Sequence, residues 1–397
     1  MEPLGNRQRI QALSAHREQV VEALNQINFD GGHIRRMIET FEQQIQLANS
    51  PDEMQRQQTD LFWENTFVRR LLDGTENGTY LGMDLGGTNF RLVRVDLRDG
   101  EATTATRYYS LGKGLLVGPS SEVETLPAGV EVVARISDTT GTLLAGNLLD
   151  KNCKIGLILG TGSNAAFVEY THNIEKWDAC YNDEDPSDVV VINCEFGAFG
   201  DNGCLDFMKT EFDKELDTHS NHPGSYTFEK HYSGHYLGEL VRLALIKLVR
   251  AGCLFADQPS ALLEERWSFT TAHVTAIESD SQETTTNTMS VLAEFGIPNP
   301  TADDVLLVQE VCELMSTRGA YIVATAMVVL LNHINLPEVT IAVDGSLYEH
   351  HPKYHNNMVK LISTWCPQTK TTLRLVKDGS GQGGALVAAI SEKTLPH

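Results

Sequence analysis

The chain has 397 residues, 41 % of them apolar, which is more than one ordinary core needs, so the length favours two domains. Its 31 basic against 53 acidic residues give a formal net charge of −22, which repels nucleic acid and anionic membranes and leaves any anionic ligand in need of a metal or local basic groups. The seven cysteines (Cys153, Cys180, Cys194, Cys204, Cys253, Cys312, Cys366) lack C-x-x-C spacing, which argues against zinc or a disulfide framework and for reduced thiols in the cytosol.

Residues 1–46 are polar and helix-forming, with apolar Val20, Val21, Leu24, Ile27 and Ile34 but no apolar run of a secretory signal. Residues 1–8 lack an apolar anchor, and association with a mitochondrial surface is left open. Two helical stretches before Asp73 give way to a turn, Asp73-Gly74-Thr75-Glu76-Asn77-Gly78, and then to β-rich sequence at 80–85, 90–97 and 103–110, an antiparallel meander. Residues 111–130, rich in Gly and Pro, read as loop. An apolar strand is expected at 130–136, ending at Ser137-Asp138-Thr139-Thr140-Gly141-Thr142, whose polar residues open a helix.

A second meander begins near 156, and helical periodicity dominates 236–254 and 305–334. Within the latter, the apolar stretch 319–331 is too short for a membrane span and reads as a buried helix. Strands are expected at 339–343 and 373–376, the second followed by a turn at Asp378-Gly379-Ser380-Gly381 and a helix at 385–391.

Gly82-Met83-Asp84-Leu85-Gly86-Gly87-Thr88-Asn89-Phe90-Arg91 is echoed by Gly156-Leu157-Ile158-Leu159-Gly160-Thr161-Gly162-Ser163-Asn164. In each, an apolar strand runs into glycines and a threonine. Glycine permits close approach to a phosphate, and the freed N–H groups and the Thr hydroxyl donate to it. One such loop is often only a tight turn, so the repetition carries the inference of a kinase. A phosphate-turn meander occurring twice, each time with helices and further strands, describes an α/β, actin-like (ribonuclease H-like) duplicated fold with two lobes around a ligand cleft. On that plan residues 1–74 are a helical segment of the large lobe, 75–137 the small lobe, 138–384 the large lobe, and 385–397 a helix returning to the small lobe.

Further motifs are Thr66-Phe67-Val68-Arg69, Glu195-Phe196-Gly197-Ala198-Phe199-Gly200-Asp201-Asn202-Gly203, Phe228-Glu229-Lys230, Ser233-Gly234 with Tyr236-Leu237-Gly238-Glu239, and Asp344-Gly345-Ser346-Leu347-Tyr348 with His351-Pro352. Together with the phosphate turns and Asp378-Gly379-Ser380-Gly381, they make the chain resemble the eukaryotic hexokinases, ATP-dependent sugar kinases of the actin-like fold, from Phe67 to about Ala389. The resemblance implies phosphorylation of a hexose, glucose or a related sugar, at its 6-hydroxyl, the first step of glycolysis. It further implies Mg2+–ATP between the lobes and a monomer in the cytosol.

Phosphoryl transfer requires an in-line hydroxyl and neutralised phosphates more than covalent help. By the resemblance, Asp84 lies near Mg2+ through water. Gly86, Gly87, Thr88, Asn89, Arg91, Gly160, Thr161 and Gly162 face the phosphates, and Ser346, Gly379 and Ser380 lie near the nucleotide. Asp84 also reads as a cap of its own turn, although a carboxylate ending an apolar strand is costly without a cation. Asp138 matches the catalytic base; on its residues alone a helix N-cap is an equal reading. Asn164, Glu195 and Glu229, with Ser137, match sugar-binding positions. Glu229 beside Lys230 reads equally as a surface residue without the family. Glu349, His350, His351 and His355 form a metal-like cluster, but Pro352 breaks their register and surface histidines are the commoner case.

The resemblance fails in one region. The family's stretch between the third meander strand and the strand before the catalytic Asp, with its Phe-Ser-Phe-Pro and Thr-Lys-Gly-Phe sugar loops, has no counterpart beyond residues 111–130, so the small lobe is truncated. Ser137 replaces an Asn, Phe196 a Trp, and Lys377 an often acidic residue. Strand 130–136 is expected to fill the vacancy beside 80–85, a lateral shift of about 4.8 Å that would misaim Asp138. The alternative function is therefore a catalytically impaired hexokinase-like protein or splice variant. An actin- or chaperone-like ATPase shares the phosphate turns but leaves Glu195 and Glu229 unexplained.

Overall fold

Local signals start the helices. Asp30 accepts the amides of Gly32 and His33 while the His33 ring meets the Asp30 backbone, and Thr301 and Asp304 cap the longest helix in the same reciprocal way. The computed structural model describes residues 17–85, 89–110, 132–177, 185, 187–256, 258, 260–281 and 284–392. The elements in chain order are α1 (Arg17–Ile27), α2 (Gly31–Asn49), α3 (Glu53–Arg56), β1 (Glu64–Asn65), β2 (Gly78–Leu85), β3 (Asn89–Arg98), β4 (Glu101–Ser110), α4 (Asp138–Leu149), β5 (Cys153–Leu159), β6 (Ser163–Tyr170) and β7 (Val189–Asn193). There follow α5 (Glu211–Thr218), α6 (Thr227–Lys230), α7 (Leu237–Arg250), α8 (Ala261–Glu264), α9 (Thr271–Glu278), α10 (Thr286–Glu294), α11 (Ala302–Ile334), β8 (Glu338–Asp344), α12 (Ser346–His350), α13 (Tyr354–Trp365), β9 (Lys370–Leu375) and α14 (Gly379–Glu392).

Strands β2-β3-β4 form one antiparallel sheet, and a second, six-stranded sheet runs β1-β7-β6-β5-β8-β9. Its β5-β6-β7 part is antiparallel, whereas β5-β8 and β8-β9 are parallel. Both faces of the larger sheet are covered, as its nearly continuous apolar strands require. Ile155, Leu157, Phe167, Ile192 and Ile341 belong to a core shared with α1, α2, α7 and α11. Cys153, Ala166, Val191 and Ala342 belong to a second core with α4, α14 and the inner residues Val93, Val95 and Leu97 of the small sheet. The stretch 319–331 lies inside α11; that helix is long and apolar enough to cross a membrane, but 83 % of its apolar window is buried in the protein.

Two expectations are corrected. Residues 132–137 form no strand, and Val132 and Val133 are 47 % and 45 % exposed. Residues 130 and 131 lie outside the described residues, so no described part of this segment pairs beside β2. The inner face of the meander is already covered by α14, so the valines have no buried face to join. The last helix begins at Gly379 rather than near 385 because its glycines are contact points, not turn residues. A Cβ on Gly383 would lie 2.0 Å from the Cα of Gly141 in α4, and one on Gly82 would lie 2.0 Å from the carbonyl oxygen of Gly381. Packing at backbone distance outweighs glycine's poor helix propensity.

Candidate active site

The turn Gly160-Thr161-Gly162 between β5 and β6 is tied down from behind. Gly234 and His235 donate their amides to the carbonyls of Gly160 and Thr161 at 2.8 and 3.1 Å, and the Ser233 hydroxyl also donates to Thr161 O at 2.8 Å. The Thr161 side chain is left exposed. Against this turn lies the end of β8, where Gly345 takes a φ of 125° and a Cβ would fall 2.3 Å from the Leu159 carbonyl oxygen. Gly345 leads to Ser346, exposed at the start of α12. Asp344 accepts the Gly379 amide at 2.9 Å, which joins β8 to the start of α14.

Gly86, Gly87 and Thr88 lie outside the described residues, and of Asn89 only the backbone is described. Beyond them, Arg91 stands opposite Asp84 in the β2–β3 ladder. Its guanidinium pairs with Asp84 and, at 2.9 Å, with Asp378. Asp84 also accepts the Ser380 hydroxyl at 3.0 Å, and Tyr108 donates to Asp378 at 2.6 Å. All three strands of the small sheet are thus bonded, directly or through Arg91, to residues 378–380. Burial disfavours the charged guanidinium, but the carboxylates around it more than compensate and hold Arg91 protonated.

The start of α4 supplies the acid. Ser137 rather than Asp138 is the N-cap: its hydroxyl accepts the Thr140 amide at 3.3 Å and meets the hydroxyls of Thr139 and Thr140 at 2.9 Å. Ser137 is therefore engaged with its own helix, which leaves Asp138 in the first turn with one oxygen on the Thr139 amide at 2.8 Å. Asp138 has solvent-accessible surface yet is crowded by protein. Crowding first, then the carboxylates of Asp84, Glu195 and Asp344, push its carboxyl above the ordinary range, against the Thr139 hydrogen bond.

The strand shift expected to misaim Asp138 has no strand to act on in residues 132–137, which run irregularly into Asp138. Next to it, Thr139 donates to Asn193 Oδ1 at 3.2 Å, and Asn164 donates to the same oxygen at 2.9 Å and to Glu195 Oε1 at 3.0 Å. Glu195 sits in the left-handed region (φ 49°, ψ 43°), a strained conformation for a non-glycine residue that the surrounding bonds sustain. Glu229, on the short α6, accepts the Ser163 amide at 3.0 Å. Burial raises its carboxyl, opposed by that bond and by Lys230. Asp201 fixes α6 by accepting the amides of Tyr226 and Thr227 at 3.0 and 2.8 Å.

Asn193, Asp201, Asp344, Asp378 and Tyr108 were not among the sequence-derived site residues. Asn193 had a signal, a polar residue closing the apolar run Val189-Val190-Val191-Ile192. Among the described residues no three His, Cys, Asp or Glu side chains are placed to hold a metal. In the 349–355 cluster, His351 faces Glu278, His355 bonds Tyr348 and Glu349 pairs with Lys377. Cavities of about 330 Å3 beside Phe255 and about 230 Å3 beside Cys366 are lined by none of the site residues.

Two family models, both described as hexokinase, match residues 154–390 and 19–126, with Asp138 in the interval between them. Mouse Hexokinase-1 is 32 % identical over 405 aligned residues, covering 82 % of this chain but 40 % of its own length; the chain spans less than half of the mammalian relatives it matches. Schistosoma mansoni hexokinase is 31 % identical over 443 positions, covering 94 % of this chain and 97 % of its own. As 94 % of 397 residues is about 373, about 70 of those positions have no residue here. The structure of Schistosoma mansoni hexokinase complexed with glucose matches 95 % of this chain and 100 % of its own, with a TM-score of 0.82 and 28 % identity.

Proposed function

This chain belongs to the hexokinase family, and we propose that it transfers the γ-phosphoryl group of ATP to the 6-hydroxyl of a hexose such as glucose. The observation that supports the reading is the bonded series from Thr139, next to Asp138, through Asn193 to Asn164 and Glu195, which ties the start of the Asp138 helix to the two residues read as sugar-binding. Asn164, Glu195 and Glu229 hold the sugar hydroxyls, and the fixed amide and carboxylates penalise any analogue that leaves them unpaired. Asp138, its carboxyl already raised, accepts the proton of the attacking hydroxyl while the oxygen–phosphorus bond forms and the bond to the ADP oxygen breaks. Thr161 and the amides of its turn face the phosphates.

Arg91 is the cation placed among Asp84, Asp344 and Asp378. No three carboxylates among the described residues are placed to hold a metal by themselves, but Mg2+ needs only one or two carboxylates beside the substrate phosphates; Asp84 would face it, and the ion would supply charge neutralisation. The buried, unpaired thiols of Cys153, Cys194, Cys312 and Cys366 support a cytosolic setting. A coupled ADP-release assay with glucose and Mg2+–ATP tests the reading. Turnover should exceed that of Asp138→Ala by about a hundredfold or more. Equal rates for the two proteins would refute it and leave the impaired alternative standing.

A further inference from the structure

We propose that Asn193 is the positioning residue of the hexose site: its amide orients Asn164 and Glu195 and links them to the start of the helix that bears Asp138. The inference rests on the hexose reading above and assigns a role to a residue that touches no substrate in it.

Two backbone N–H groups fix the orientation of the side-chain amides. The backbone amides of Ala165 and Phe196 both point at Asn164 Oδ1, at 2.7 and 3.3 Å, so that atom is the oxygen and the other is the amide nitrogen. Asn164 Nδ2 then donates to Asn193, so the atom it meets at 2.9 Å is Asn193 Oδ1, and the Thr139 hydroxyl donates to the same oxygen. Asn193 Nδ2 is thereby turned toward Glu195 Oε1 at 2.6 Å and Glu64 Oε2 at 3.2 Å. Both donors and both lone pairs of the amide are used. Asn193 is 4 % exposed, so water does not substitute for any of these partners.

Polarity along the series therefore runs in one direction, from backbone N–H through two amides to a carboxylate. Glu195 is the end of that series and is held in a left-handed backbone conformation that needs support. Aspartate in place of Asn193 keeps the shape but sets a carboxylate 2.6 Å from that of Glu195, with Glu64 also close. Two carboxylates at that distance share one proton, and one of the pair titrates well above the ordinary range.

The test compares Asn193→Asp and Asn193→Ser with the wild-type full chain, using glucose titrated against intrinsic fluorescence at pH 7.5 and pH 5.5. Asn193→Asp should lose about tenfold or more in glucose affinity at pH 7.5, with KM for ATP within about twofold of wild type, and recover most of the loss at pH 5.5 as the shared proton binds. Asn193→Ser, which cannot form the carboxylate pair, should be weak at both pH values. Affinity of Asn193→Asp within twofold of wild type at pH 7.5, or a loss that both variants share equally at the two pH values, would overturn the proposal. Thermal unfolding without ligand separates the two readings. If wild type fails to bind glucose, the hexose reading falls; the deficit of Asn193→Asp should still shrink from pH 7.5 to 5.5, and a deficit unchanged with pH removes the positioning role as well.

Discussion

Gly383→Ala sets helix propensity against packing. Alanine is favoured over glycine inside a helix by about 1 kcal/mol, so propensity alone predicts a more stable protein. The geometry predicts the reverse. The new Cβ would lie 2.0, 2.2 and 2.3 Å from the Cα, O and C atoms of Gly141, whereas carbon atoms rest about 3.5–4.0 Å apart. Helix α4 cannot retreat, because on its other side a Cβ at Gly156 of β5 would already meet the Thr139 carbonyl oxygen at 2.3 Å. Relief must come from α14, displaced outward by about 1.5 Å, and Ser380 with its bond to Asp84 moves with it.

Overpacking of this kind costs about 1–3 kcal/mol, and the backbone character of the clash puts it at the upper end, above the propensity gain. A misplacement near 1 Å is worth about a hundredfold in rate, so turnover should fall by about that factor. Urea denaturation and the coupled ADP assay read the two effects, with Gly384→Ala as the control. There the Cβ meets its nearest neighbour, the Cα of Gly82, at 3.4 Å and should be accommodated. A Gly383→Ala protein as stable and as active as wild type would refute the claim that glycine is needed for helix contact.

Asp138→Asn should lower turnover by about 10²- to 10⁴-fold while raising the melting temperature at pH 7. The sign follows from the raised carboxyl: the folded state holds the proton more tightly than the unfolded one, so ionisation destabilises the fold above the unfolded pKa of about 3.9, and the variant's advantage should vanish below it in a pH series of thermal melts. Asp213→Asn should destabilise by about 3–5 kcal/mol in urea unfolding, because buried Arg318 and His231 both lean on that carboxylate, at 2.8 and 2.7 Å. Asp213 lies well below the ordinary range through Arg318 and His231, which outweigh its burial. Its contribution is therefore present above the unfolded pKa and lost only as pH falls through the folded one, so the gap to the variant should persist from pH 8 to pH 5.

The sequence made both meanders legible because alternating strands between glycine turns leave little choice of element, and observed β2 to β4 differ from expectation by no more than two residues at any end. It misled where local signals and tertiary use diverge. Gly379 and Gly381 read as a turn because glycine is a poor helix former, but here they lie within α14, where Gly383 meets the backbone of α4 and Gly381 meets the side chains of Val93 and Asp84. The valines before Asp138 read as a strand because they are apolar and β-branched, but a strand needs a partner edge and a face to bury. Phosphate-turn residues announce themselves by glycine; Asn193 does not, because an amide that matters through four hydrogen bonds looks like any strand-terminal asparagine until its neighbours are in place.

The lack of the two sugar loops in the sequence is compatible with the observed surroundings of Asp138. Its helix is gripped by β5 on one side and α14 on the other, and its first turn is bonded to Asn193 at the end of β7; none of these contacts uses the family's absent sugar-loop region. The small sheet contributes through Asp84 and Arg91, which are locked to α14 by Ser380 and Asp378. On the proposed function, the loops lacking from the sequence would remove polar contact to the sugar, and each absent hydrogen bond would weaken binding by about 0.5–1.5 kcal/mol. Two or three such losses would raise the hexose concentration needed by about 5- to 1,500-fold without touching the elements that hold the base. On this proposal the deletion weakens hexose binding ahead of the proton transfer, and a glucose KM close to that of full-length relatives would contradict that division of labour.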